Sequence, residues 1–166
     1  MAGFDFTKVC FNGAVEGTTT GGNTCTGSLV ANTSGTASGT ASTDWACTKD
    51  NVTNLIWSLE GGTAGDWTTY AQVTAPTASN SASRCGFASG WRLPTRRELL
   101  GIMVNDGSIP MIDVSYFPGT QSSSYWTSDT LASAPTSAGL VGFHNGYLYG
   151  FGKNAYSYVR LVRSGQ

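Results

Sequence analysis

The chain has 166 residues, enough for one domain with a sizeable buried core. Charged residues make up 11% of it, against a globular norm of about 25%, and the formal net charge is −1. That balance excludes nucleic acid and anionic membrane as principal partners, and no apolar stretch approaches the ~20 residues of a membrane helix.

Phe4 and Phe6 are isolated apolar residues and no signal-peptide pattern opens the chain. The expectation is a secreted or cell-surface protein that has lost its leader or is carried by something else. A single domain spanning 1–166 is expected, with 1–44 as a loop-rich N-terminal extension. Residues 11–44 are dominated by Gly, Thr, Ser, Ala and Asn and read as a long loop or as short irregular strands. The four cysteines Cys10, Cys25, Cys47 and Cys85 point to two disulfides, for which three connectivities exist. Cys10–Cys25 and Cys47–Cys85 is favoured: the first pins the Gly/Thr-rich loop, and the second ties the strand near Trp45 to the segment entering Trp91. Reduced, buried cysteines are the alternative. Without a Cys-x-x-Cys pair or a set of histidines, a zinc site is not expected.

From Trp45 the pattern changes. Cys47 to Trp57 contains two strand-like runs around an Asp50-Asn51 turn, a hairpin. Asp66 offers a helix N-cap ahead of Trp67, Tyr70 and Ala71 at helical spacing, and Pro76 is expected to stop that helix. Thr95 and Glu98 have capping-box spacing, opening a second helix that would bury Leu99, Leu100, Ile102 and Met103 and end at Asn105-Asp106-Gly107. Residues 109–120 are connecting loop, and Tyr125–Ser128 and everything after Leu140 read as strands. Short strands, two helices, then antiparallel strands make an α+β arrangement.

The run Val141-Gly142-Phe143-His144-Asn145-Gly146-Tyr147-Leu148-Tyr149 holds an Asn-Gly pair between apolar-rich segments. A type I′ turn at Asn145-Gly146 would set His144 opposite Tyr147, Phe143 opposite Leu148 and Gly142 opposite Tyr149. Val141, Phe143 and Leu148 would then face the core, with His144, Tyr147 and Tyr149 outward. An outward face of tyrosines has the composition of a binding surface, because tyrosine combines contact area with a polar tip. Ordinary strand packing is the alternative, and it is favoured for Phe151 and Tyr158.

Arg92, Arg96 and Arg97 open the second helix and Arg160 and Arg163 close the chain. If they converged they would form a sulfate or carboxylate site; the alternative, which is favoured, is structural ion pairing. Cations at a helix N-terminus call for a local carboxylate, with Asp113 or Glu98 as candidates. There is no Ser/His/Asp ordering, no paired carboxylates in helix register and no phosphate-binding Gly motif with its lysine, so an enzyme is not expected. His144, the lone histidine, reads as a loop residue rather than a catalyst.

Several segments occur together in order: Asp50-Asn51-Val52-Thr53-Asn54-Leu55-Ile56-Trp57, Gly90-Trp91-Arg92-Leu93-Pro94-Thr95-Arg96-Arg97-Glu98-Leu99-Leu100, Tyr125-Trp126-Thr127-Ser128 and Tyr158-Val159-Arg160-Leu161-Val162-Arg163. Over roughly 44–163 they resemble the bacterial family named for the C-terminal domain of the Legionella collagen-like protein. The resemblance implies a C-type-lectin-like fold of the branch shared with formylglycine-generating enzymes, and ligand binding at the bacterial surface. The namesake is an adhesin for sulfated glycosaminoglycans, and other members are variable proteins of diversity-generating retroelements. The stretch matching their varied region is Tyr125 to Tyr158. It carries few positive charges, unlike a strongly basic glycosaminoglycan binder. It also lacks the Asn/Gln-Pro-acid triplet of calcium-dependent sugar sites, leaving Asp129 as the sole candidate ligand for a structural calcium; no cofactor is otherwise expected. The reactive C-terminal cysteines of formylglycine-generating enzymes are missing too, as no Cys follows Cys85.

The expected function is therefore non-enzymatic recognition of an extracellular glycan or protein. The expected surface comprises Tyr125, Asp129, His144, Asn145, Tyr147, Tyr149, Lys153, Asn154 and Tyr156. The alternative is a structural module of a surface fibre, pilus or phage tail, a homo-oligomer burying the same aromatic patch.

Overall fold

A computed structural model describes residues 4–38 and 40–165; Met1-Ala2-Gly3, Gly39 and Gln166 lie outside the described residues. The fold is α+β, with strands predominating, as the sequence led us to expect. The first sheet is built from β1 (Phe6–Cys10), β5 (Asp44–Asp50), β6 (Leu55–Ser58) and β12 (Val162–Ser164) in that order, with β4 (Val30–Ala31) alongside β5. β1 comes from the segment read as loop-rich extension: its antiparallel register, Phe6↔Asp50 to Val9↔Cys47, makes it part of the main sheet. β2 (Thr19–Thr20) and β3 (Asn23–Thr24) form a small separate ribbon. The second sheet runs β10 (Leu148–Gly152), β9 (Ala134–Gly142), β8 (Ser124–Leu131), β11 (Ser157–Tyr158) and β7 (Ala64–Gly65).

The Asp50 turn closes the β5–β6 hairpin as expected. The Asp50 carboxylate accepts from the amides of Val52 and Thr53 and from the Thr53 hydroxyl, which holds the loop while Asn54 takes φ +57°. Disulfides join Cys10 to Cys25 and Cys47 to Cys85, the connectivity favoured from sequence. Asp66 caps its helix through the Thr69 amide at 2.7 Å. Pro76, however, does not stop that helix. Trp67–Thr74 winds as a wide π-helical segment that runs directly into α1 (Ala75–Ser81). Pro76 thus falls in the first turn of α1, where a missing N–H costs little.

α2 (Arg96–Gly101) carries both arms of the capping box: Glu98 N donates to Thr95 Oγ1 at 3.2 Å and Thr95 N to Glu98 Oε2 at 2.8 Å. The helix is shorter than expected, ending at Gly101, and Leu100 points outward while Leu99 and Ile102 are buried. Of the two carboxylates expected there, Glu98 serves and Asp113 does not, while Asp129 adds one that was not expected. Glu98 forms a fork with Arg92, Asp113 bonds its own loop at Ser115, and Asp129 of β8 accepts from the Arg96 amide at 2.6 Å. The Arg92 fork holds the Glu98 carboxyl below its usual range.

β8 over Tyr125–Thr127 and β9 over Ala138–Gly142 are buried on both faces. Trp126 and Leu140 join Trp91, Leu93, Ile56 and Leu161 in one core cluster. Tyr125, Val141 and Phe143 join Trp57, Leu99, Ile102, Phe117 and Val162 in the other. Arg160 sits where the chain crosses from the second sheet to the first. It is fully buried, donating to Ser58 O at 2.6 Å and Thr120 Oγ1 at 2.8 Å, with its guanidinium over the Phe117 ring. Burial lowers its pKa.

Candidate functional site

The β9–β10 connection is a hairpin, but in a different register from the one the Asn-Gly pair predicts. Val141 pairs with Leu148 and Leu140 with Tyr149, and Gly142 N donates to Tyr147 O at 2.9 Å. The loop is therefore wider, and only Gly146 takes positive φ, whereas a type I′ turn requires it at both loop positions. The cause is Phe143. Its ring is in the core, its amide donates to Ser123 O at 2.9 Å and its carbonyl accepts from Met111 N at 2.7 Å, so it is unavailable to Leu148. Val141 and Phe143 are buried as expected, but Leu148, expected beside them, is 47% exposed.

The tip is held by its own polar groups. The His144 and Tyr149 rings stack with centroids 6.0 Å apart, Asn145 Nδ2 donates to the Tyr149 hydroxyl, and Asn145 Oδ1 accepts from Tyr147 N at 3.1 Å. Tyr149 also packs on the Trp126–Leu140 cluster and is half-buried. A Cβ at Gly142 would displace the Asn145 carboxamide and crowd the Tyr149 and His144 rings. Tyr147, by contrast, projects freely at 68% exposure.

At the other end of β10 the chain turns back to β11 and leaves a cleft of about 600 Å³ against the start of the π-helical segment. Asp66, Thr68, Thr136, Lys153, Asn154 and Tyr156 line it. Trp67 anchors the junction: its amide donates to Lys153 O at 2.9 Å and its indole N–H to Thr127 O at 2.7 Å, and the Lys153 ammonium lies 4.2 Å from its ring centre. The Thr69 amide holds the Asp66 carboxyl below its usual range, so it is ionised at neutral pH. Asp66 and Lys153 form no ion pair with each other. The cleft thus offers an exposed aromatic ring, hydroxyls, an amide and one charge of each sign.

A family model described as the Lcl C-terminal domain matches residues 46–163, most of the chain. The chain belongs to the Lcl C-terminal domain family. This is the family the sequence motifs suggested. The matched span begins inside β5 and ends in β12, so it contains both the hairpin tip and the cleft, while β1 to β4 lie outside it. No curated protein matches the chain.

The nine residues expected on one surface of this Lcl C-terminal domain fall into separate places. His144, Asn145, Tyr147 and Tyr149 make the tip, and Lys153, Asn154 and Tyr156 line the cleft. Tyr125 belongs to neither: it is fully buried, edge-on to Phe143 at 5.2 Å, and its hydroxyl bonds Gly61 O and the Gln121 amide. It is a core residue, because β8 is covered on both faces. Asp129 lies apart in a second groove, lined with Arg96, Arg97, Leu100 and Leu131, with its carboxylate engaged at α2. Among the described residues no group of three His, Cys, Asp or Glu side chains is placed to hold a metal ion.

The arginines do not converge. Arg92 pairs with Glu98, Arg160 is interior, and Arg163 lies 3.5 Å from the Phe87 ring centre. A further, partly buried pair, Arg84–Glu60 at 2.7 Å, carried no sequence signal, since its partners are 24 residues apart. Phe151, expected to pack, is 53% exposed and shares a face of β10 with Tyr149. Asp66, Thr68 and Thr136 were missed as cleft residues because they come from elements distant in sequence. Trp67 was read only for its helical spacing with Tyr70 and Ala71. The adjoining Asp-Trp pair at a helix start was the one available hint.

Proposed function

We propose that this Lcl C-terminal domain is a non-enzymatic recognition module with a C-type-lectin-like fold, displayed outside the cell and binding a glycan or a protein along β10 and its two flanking loops. The observation that carries the reading is the concentration of exposed aromatics there: Tyr147 at 68%, Phe151 at 53% and Tyr156 at 75%. Aromatic rings that a protein leaves in water, next to anchored polar groups, suit stacking on sugar faces and burial at protein interfaces. Two disulfides support an oxidising compartment. The near-neutral face argues for a neutral or weakly charged ligand over a sulfated one. A retroelement-diversified variable protein fits the same division, since the residues from Tyr147 to Tyr156 that face solvent hold no core position. The structural module of a fibre, pilus or phage tail is favoured by one observation only, the uncovered outer edge of β10.

The test is a glycan-array and surface-protein screen of the folded domain beside a Tyr147→Ala/Tyr156→Ala double variant. Tyr149 is left in place because it packs on the core. Binding that drops about tenfold or more in a variant of unchanged melting temperature supports the reading. Binding that the variant retains in full contradicts it.

A further inference from the structure

The outer edge of β10 stands apart from the other sheet edges. The first sheet is covered at both sides: β1 takes a bridge from Val15 and a bond from the Glu16 amide, and β12 takes the Arg92 bridge. β7, at the far side of the second sheet, is only two residues long. β10 has five residues and, among the described residues, no strand pairs with its outer side. It carries no charge and no proline, the usual protections of an open edge.

The direction of its free groups follows from the ladder. Gly142 N→Tyr147 O and Lys153 N→Thr136 O bracket the strand and share the register of Leu148↔Val141. Backbone groups alternate along an antiparallel strand, so Tyr149 and Phe151 bond inward to β9, whereas Leu148, Gly150 and Gly152 point theirs outward. Among the described residues only the Gly152 carbonyl of these outward groups has a partner, the Ala155 amide at 2.9 Å.

We propose that β10 pairs antiparallel with β10 of a second copy of this chain, on a two-fold axis at Gly150. The strand Leu-Tyr-Gly-Phe-Gly is complementary to itself in that register. Gly150 exchanges two bonds with its copy, Leu148 lies opposite glycine at 152, and Tyr149 lies opposite phenylalanine at 151. Each large aliphatic side chain meets a residue without one, and the aromatics meet in non-hydrogen-bonded pairs, where side chains approach most closely. The Leu148 carbonyls accept from the Gly152 amides, giving four bonds across the axis. No charge on either strand opposes the pairing.

The geometry has a functional consequence. Edge pairing sets Phe151 beside Tyr149 of the other copy and brings two tips and two clefts into one continuous sheet. A ligand with repeating units would then meet both sites at once, with avidity beyond that of either.

Sedimentation velocity over a concentration series, with amide exchange followed at Leu148, Gly150 and Gly152, tests this on the full chain. The expected result is a dimer whose Gly150 amide gains protection as concentration rises. Leu148→Lys sets an ammonium beside the Lys153 end of the other copy, and is expected to weaken association by about tenfold or more. Leu148→Val, which keeps strand propensity, retains it. Leu148 is exposed and off the Tyr149–Phe151 face, so both variants should melt with the parent. A monomer at every concentration with freely exchanging edge amides overturns the proposal. So does an oligomer indifferent to Leu148→Lys, or an edge protected only by an added extended peptide.

Discussion

Two strands of one sheet, β8 and β10, are built from similar residues and put to opposite use. β8 presents Tyr125 to one core cluster and Trp126 to the other, and both hydrogen-bond inward, to Gly61 and Gly65 carbonyls. β10, two places away, presents Leu148 and Phe151 to water. An aromatic residue therefore says little by itself; what decides its role is whether its strand has neighbours on both faces. The inner strands, the capping box and the Arg160 crossover form a scaffold, and β10 with its flanking loops forms an edge that the scaffold holds but does not need.

That contrast can be broken first at Arg160. Arg160→Ala removes a buried guanidinium and leaves Ser58 O without its partner at the crossover. We expect a loss of about 3 kcal/mol or more in urea unfolding. Thr95→Ala removes one arm of the capping box and should cost about 1 kcal/mol by the same measurement. Tyr156→Ala, at the edge, should shift stability by less than about 0.5 kcal/mol.

The scaffold also has an acid signature. Glu98 is held below its ordinary value near 4.5, chiefly by its bond to Arg92. A carboxyl with a depressed folded pKa contributes stability that is present above its unfolded value and lost as pH falls through the folded one. Stability should thus be flat near neutrality and decline below about pH 4.5, with a shallower decline in Glu98→Gln. Because Glu98 is partly solvent-exposed, the difference should stay under about 1 kcal/mol.

Local chemistry was legible in the sequence where its partners are close. The Thr95–Glu98 box, the Asp66 cap and the Asp50 turn each involve residues within four positions of one another. The disulfides were legible because few pairings exist and loop content separates them. Long-range competition was not legible. The Asn145-Gly146 signal was overridden when Ser123 and Met111 captured the Phe143 backbone, and this moved Leu148 out of the core. Tyr125 was misplaced because a strand's second covered face leaves no mark in a single sequence. Half of the cleft was missed since Asp66, Thr68 and Thr136 reach it from other elements, whereas Lys153, Asn154 and Tyr156 came into view through one local turn.

The division between scaffold and edge is tested most directly by a saturation substitution library over residues 44–163, scored for protease resistance. The account predicts tolerance at Tyr147, Leu148, Phe151, Asn154 and Tyr156, and intolerance at Tyr125, Trp126, Val141, Phe143 and Arg160. Substitutions along β10 and its loops that unfold the domain as often as those in β8 would contradict it.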